Sequence, residues 1–290
     1  MPTKIEKDAI TGVETTGHEW DGIRELNNPL PKWWLYVFYA TIVWSLGYWV
    51  LYPSIPTGKG HTDGLLAYNS REDVARDISR AREAQSAYRA RIENASYTEI
   101  MDDPDLLNFA ITGGRFAFAE NCAACHAAGG AGQKGYPALA DDDWLWGGKA
   151  EEIAFTIQHG IRSTSPDTRM GDMPRFGVDG MLTRAQINDV VEYVMGLGNR
   201  ATDAAAAGRG ETVFAENCAS CHGEKGEGNR ELGAPRLADN IWLYGASKAT
   251  LVETVNGGRA GVMPTWAGRL DPVAIKQLAV YVHTLGGGEK

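Results

Sequence analysis

The distribution of apolar and polar positions divides the chain into stretches of different character. Residues 33–52 (WWLYVFYATIVWSLGYWVLY) contain no charged side chain. A helix of about 20 apolar residues matches a hydrocarbon core of about 30 Å. Trp33, Trp34, Tyr48, Trp49 and Tyr52 fall near its two ends, where interfacial aromatics sit. Pro31 precedes the stretch and Pro53 ends it. The pattern predicts one membrane-spanning helix. It begins too late and runs too long for a cleaved signal peptide, and no small-residue cleavage site follows it. Trp at both ends of an uncharged helix also disfavours a buried core helix. Residues 53–64 form a Pro/Gly-rich exit. Residues 65–97 then lack Pro and Gly and carry acid–base pairs at helical spacing, such as Asp73–Asp77–Arg80. They read as a solvated helical connector.

Beyond residue 109 the pattern duplicates. One copy reads GRFAFAENCAACH…GYPAL…WLWGG…GDMPRF…INDVVEYVMGLG, the other GETVFAENCASCH…GAPRL…WLYGA…GVMPTW…IKQLAVYVHTLG. Each copy opens with a short helix (Gly114–Phe118, Gly210–Phe214) running into a Cys pair. Each closes with an amphipathic helix, Ala185–Leu197 after Thr183 and Pro272–Leu285 after Asp271, both good N-caps. No strand pattern stands out. The expectation is an all-α chain: a polar arm (1–32), a span (33–52), a connector (53–109), a first repeat (110–198), an Ala/Gly linker (199–207) and a second repeat (208–290).

The net charge of -9 and pI near 5.2 argue against a nucleic-acid partner and suit a basic one, such as many soluble electron carriers. All four cysteines lie in two C-x-x-C-H motifs, Cys122–Cys125–His126 and Cys218–Cys221–His222. Two thiols three residues apart on one helical turn reach the two vinyl groups of one porphyrin, and the adjacent His lies under the iron. Two copies inside matched repeats predict two covalently attached haem c groups and leave no Cys for a disulfide. A closed electron-transfer iron needs a second axial ligand, and a soft thioether serves. Met173-Pro174 and Met263-Pro264 occupy corresponding places before the last helix of each copy. In the first copy Met170, three residues away, competes with Met173, while Met195 and Met181 are weaker rivals. The sequence leaves open whether each Met serves the iron of its own repeat or of the other. His159, which aligns with Asn256, and His283, His18 and His61 read as structural or solvated. Arg162 and Arg259 recur and are candidates for pairing with haem propionates, against the alternative of solvated Arg.

Both repeats resemble class I cytochrome c domains. That resemblance implies that the carbonyls of Pro137 and Pro235 accept the hydrogen bonds of the two ligand histidines. It also implies that Phe118 and Phe214 face Tyr193 and Tyr281 as core. With the segment WDGIRELNNPLPKWW (Trp20–Trp34) and the single span, the whole chain resembles the dihaem c-type subunit of cbb3-type cytochrome c oxidases. The resemblance implies electron entry from a periplasmic cytochrome c or the cytochrome bc1 complex. Delivery is to the monohaem and catalytic subunits, with no catalytic site on this chain. Because haem is attached outside the bacterial cytoplasm, the haem domains belong in the periplasm and residues 1–32 in the cytoplasm, across the inner membrane. A free-standing tethered shuttle or a dehydrogenase cytochrome subunit is the alternative. A dihaem peroxidase needs an open iron, which two Met ligands would deny.

Overall fold

The computed structural model describes residues 4–289, so residues 1–3 of the arm and Lys290 lie outside it. The chain forms two compact units that divide after Arg82.

The first unit begins with a feature the all-α expectation did not contain. Strands β1 (Thr15–Trp20) and β2 (Ile23–Leu26) pair antiparallel, with Trp20 opposite Ile23. Asp21 and Gly22 both take positive φ, +49° and +84°, the geometry of a two-residue Asp-Gly hairpin turn. Ion pairs from Arg24 to Glu19 (2.9 Å) and Glu6 (2.6 Å) tie the hairpin together. Strands this short, with exposed apolar tips, leave little alternation to read. Helix α1 (Lys32–Leu51) follows, apolar and exposed along its length, and long enough to cross a membrane. Helix α2 (Ser70–Asn94) is charged and exposed until its last turns.

The second unit is helical: α3 (Tyr97–Asp102), α4 (Pro104–Asn121), α5 (Ala123–His126), α6 (Ala150–His159), α7 (Arg184–Leu197), α8 (Ala204–Asn217), α9 (Ala219–His222), α10 (Lys248–Gly257) and α11 (Pro272–His283). Their starts follow from local chemistry. Ser96 and Glu99 form a capping box on α3, and Thr183 and Gln186 form one on α7. Asp103 and Asp271 cap α4 and α11, each followed by Pro at the first helical position. Asp203 caps α8, so the Ala run expected to be linker is helical from Ala204. The core also reaches back past the expected boundary at 110. Ile92, Ile100, Leu106 and Ala110 pack with Val273 and Val280. The Lys276 ammonium donates to the carbonyls of Ile92, Glu93 and Ala95, closing the end of α2.

The packing does not follow the repeat boundaries. Helix α11, which closes the second repeat, packs on α4, which opens the first; α7 packs on α8. The aromatic pairs are Phe118–Tyr281 (5.5 Å between ring centroids) and Phe214–Tyr193 (5.1 Å), each joining one repeat to the other. Two glycines permit these crossings. A Cβ on Gly114 would strike the carbonyl oxygen of Gln277, and one on Gly210 that of Asp189.

The segments after α7 and α11 lock the exchange. The Trp144 indole donates to Gly287 O at 2.6 Å, and Glu289 bonds Gly148 through backbone and side chain. Arg200 lies over Trp242 and donates to Ala246 O at 2.9 Å. Glu192 on α7 is fully buried and accepts from the Lys248 ammonium (2.5 Å), the Thr202 hydroxyl and the amides of Thr202 and Asp203. The Lys248 bond, backed by those from Thr202 and Asp203 and opposed by burial, holds its carboxyl down at about 2.

Glu192→Ala strands those donors and is expected to cost about 3 kcal/mol at neutral pH. A carboxylate depressed in the folded state stabilises above its ordinary range and loses that contribution as the pH falls from about 4.5 toward about 2. Denaturant unfolding should therefore show the gap between wild type and Glu192→Gln shrinking over that acid window. A pH-independent gap would contradict the assignment.

Candidate haem-binding sites

Helices α4 and α8 each end at the first Cys of a motif, and a single turn, α5 or α9, carries the second Cys and the His. The four cysteines form no disulfide. Burial, reinforced by the neighbouring Cys, pushes the Cys122 and Cys218 thiols up to about 11. His126 Nδ1 lies 3.0 Å from Pro137 O, and His222 Nδ1 lies 2.9 Å from Pro235 O. This bond assigns the proton to Nδ1 and leaves the Nε2 lone pair available. Burial pushes both imidazoles down, the Pro bond opposing it.

The methionines stand across the repeats. Met263 packs into the apolar cluster of Cys122, Ala123, Phe118 and Leu278. Met173 packs into that of Cys218, Ala219, Phe214 and Val190. Each is clamped by a pair of backbone hydrogen bonds: Met263 with Ile161 (3.0 Å both ways) and Met173 with Arg259 (2.9 and 3.2 Å). Gly160 and Gly258 precede those partners at positive φ, and a Cβ on either would strike the carbonyl of the clamped Met. Met170 is 65% exposed and belongs to neither cluster. Two thiols and an imidazole nitrogen at each motif, with a thioether packed in the apolar cluster of its first Cys, fit a six-coordinate haem c.

Three family models match in order: the N-terminal domain of cytochrome oxidase-cbb3, FixP, at residues 12–59; cytochrome c at 111–198; and cytochrome C oxidase, cbb3-type, subunit III at 205–282. The cbb3-type cytochrome c oxidase subunit CcoP of Azospirillum brasilense is 58% identical over 98% of this chain and 99% of its own. That of Cereibacter sphaeroides is 52% identical over the full length of both. The subunit FixP of a Bradyrhizobium species is 52% identical, also over both full lengths.

The chain belongs to the CcoP/FixP family. A CcoP/FixP chain is a membrane-anchored electron-transfer subunit of an oxidoreductase complex, so other oxidase subunits are its partners and its cytochrome c domains imply covalently bound haem c.

The remaining expected residues of this CcoP/FixP chain divide. Arg259 donates to Thr254 Oγ1 (2.8 Å) and lies over the Tyr244 ring. Its counterpart in the first repeat is Arg169, which donates to Thr156 Oγ1 (2.8 Å) and lies over Trp146. Arg162 instead donates to the carbonyls of Gly261 (2.6 Å) and Gly171. The pairing of Arg162 with Arg259 is therefore corrected. The longer loop before Met173 hid Arg169, whereas the shared Thr in α6 and α10 was the signal that could have found it. His159 corresponds to Gly257 rather than Asn256, since Gly160 and Gly258 hold equivalent places. It bonds Ser165 (3.1 Å), and His283 bonds Glu289 O (2.8 Å).

Proposed function

We propose that the chain binds two haem c groups with exchanged axial ligands. One is attached at Cys122 and Cys125 with His126 and Met263 as ligands; the other is attached at Cys218 and Cys221 with His222 and Met173. Bound there, haem c supplies a one-electron Fe(III)/Fe(II) couple. The chain supplies the rest: Pro137 and Pro235 would fix the ligand rings, the two apolar clusters would exclude water, and the clamped Met263 and Met173 would each offer a thioether as the second ligand. A closed site relays electrons and does not turn over substrate, so the chain has no catalytic site of its own.

The arm lies in the cytoplasm and the haem unit in the periplasm of the bacterial inner membrane. There the chain takes electrons from a periplasmic cytochrome c or the cytochrome bc1 complex and passes them to the monohaem and catalytic subunits. The observation that carries this reading is the meeting of each Met with the attachment motif of the other repeat.

Purification from membranes in mild detergent, with haem staining and an optical spectrum, tests it. The expected outcome is a covalent c-haem band at the mass of this chain, two haems per chain, co-purifying with b-type haem. A chain that runs alone would favour the free-standing shuttle, and a high-spin resting haem with peroxide turnover would favour the peroxidase.

A further inference from the structure

The end of α1 is closed by a segment from further along the chain. The last carbonyls of a helix lack intrahelical partners. Here the Leu65 amide donates to Val50 O at 2.9 Å and the Leu66 amide to Leu51 O at 3.0 Å. The approach requires Gly64, which has φ +70° and whose Cβ would lie 2.5 Å from Leu51 O. Between the helix and this contact, residues 53–63 make a small loop. In it Pro56 bridges His61, the Thr57 amide bonds Gly60 O (2.9 Å) and the Thr62 amide bonds Ile55 O (2.9 Å). Tyr48 stacks on Tyr52 (4.7 Å), and Tyr52 meets Tyr68 edge-on (5.7 Å). Leu65 is 77% exposed, Leu66 55% and Ile55 50%.

The hydrogen bonds fix the level of these side chains. At a rise of about 1.5 Å per residue, Val50 and Leu51 lie within one turn of the end of the span. Leu65 and Leu66 are therefore held beside the last apolar turn of α1, where the acyl chains meet the headgroups, in company with a run of tyrosines of the kind that marks that boundary. Two adjacent leucines tied there by their backbones are continuous with the apolar surface of the span itself.

We propose that residues 53–68 form a lipid-facing strap in which Leu65 and Leu66 insert beside the end of α1. Interfacial segments bury their apolar side chains about 5–10 Å into the headgroup and acyl boundary. The strap would give a single-pass anchor a second point of attachment and so set its depth and rotation. The inference rests on α1 spanning a membrane.

Nitroxide labels on Leu66→Cys, Lys59→Cys and Trp44→Cys test it. The full-length haem-loaded chain is placed in vesicles of phosphatidylethanolamine and phosphatidylglycerol, and collision with oxygen is compared with collision with a water-soluble nickel complex. The proposal expects the oxygen-to-nickel ratio at Leu66 to exceed that at Lys59, on the loop tip, several-fold. Adding Gly64→Ala to the Leu66 label should pull that ratio back toward the Lys59 value. Nickel access at Leu66 equal to that at Lys59, with Trp44 still protected, would overturn the strap and leave the span standing. Nickel access at Trp44 would overturn the span and the strap together. Protection of Leu66 from both reagents, gained only in the assembled oxidase, would give the site to a partner subunit and overturn the lipid assignment.

Discussion

Met263→His is expected to lower the potential of one haem c, by on the order of 0.1–0.3 V within the roughly 0.8 V that axial ligands command. Thioether ligation favours Fe(II), and imidazole in its place favours Fe(III). Covalent haem content stays the same, because Cys122, Cys125, Cys218 and Cys221 are untouched. Electron delivery should slow, since a lower potential makes that centre harder to reduce. Met173→His does the same to the other haem, while Met170→His, at an exposed position outside both clusters, moves neither. Redox titration of the purified oxidase followed at the c-haem absorbance band checks all three. Equal titrations for Met263→His and wild type would remove Met263 as a ligand.

Gly210→Val prevents accumulation of the haem-loaded chain, or destabilises it by about 3 kcal/mol or more, beyond the usual cost of an overfilled core. The added carbon meets the Asp189 carbonyl and lies 2.9 Å from the Tyr193 Cβ, so it is opposed by backbone that cannot turn aside. Gly114→Val acts alike against Gln277 and Tyr281. Gly208→Ala is the control. It lies on the same helix with nothing within 4 Å of its Cβ, and Ala there is expected to be neutral or stabilising by up to about 1 kcal/mol. Haem-loaded yield and denaturant midpoints compare the three. Equal losses at Gly208 and Gly210 would show that helix α8 tolerates no substitution and that the crossing has no special role.

The features set by local chemistry were open to reading in the sequence, namely the uncharged stretch that becomes α1 and the caps at Thr183 and Asp271, whereas the Pro137 and Pro235 carbonyls that meet His126 and His222 were expected from the family resemblance. The exchange of helices was not, because duplicated repeats present the same residue types whether each closes on itself or on the other. One signal was there. Only residues 198–203 separate α7 from α8, and so short a connection makes two helices antiparallel neighbours. That pairing consumes the α8 face that a self-closed second repeat would need, and leaves α11 to cover α4. The Ala run at 204–207 looked like linker because small residues carry no amphipathic pattern. The two Arg sites were misaligned because the loops before Met173 and Met263 differ in length.

The most direct test of the exchanged ligands uses a chain that keeps one haem. With Cys218 and Cys221 both replaced by Ala, the remaining haem is attached at Cys122 and Cys125. Its redox titration is then measured alone, with Met263→His and with Met173→His. The potential should fall with Met263→His and hold with Met173→His. A fall with Met173→His and none with Met263→His would mean that each repeat closes on its own haem, contrary to the packing described above.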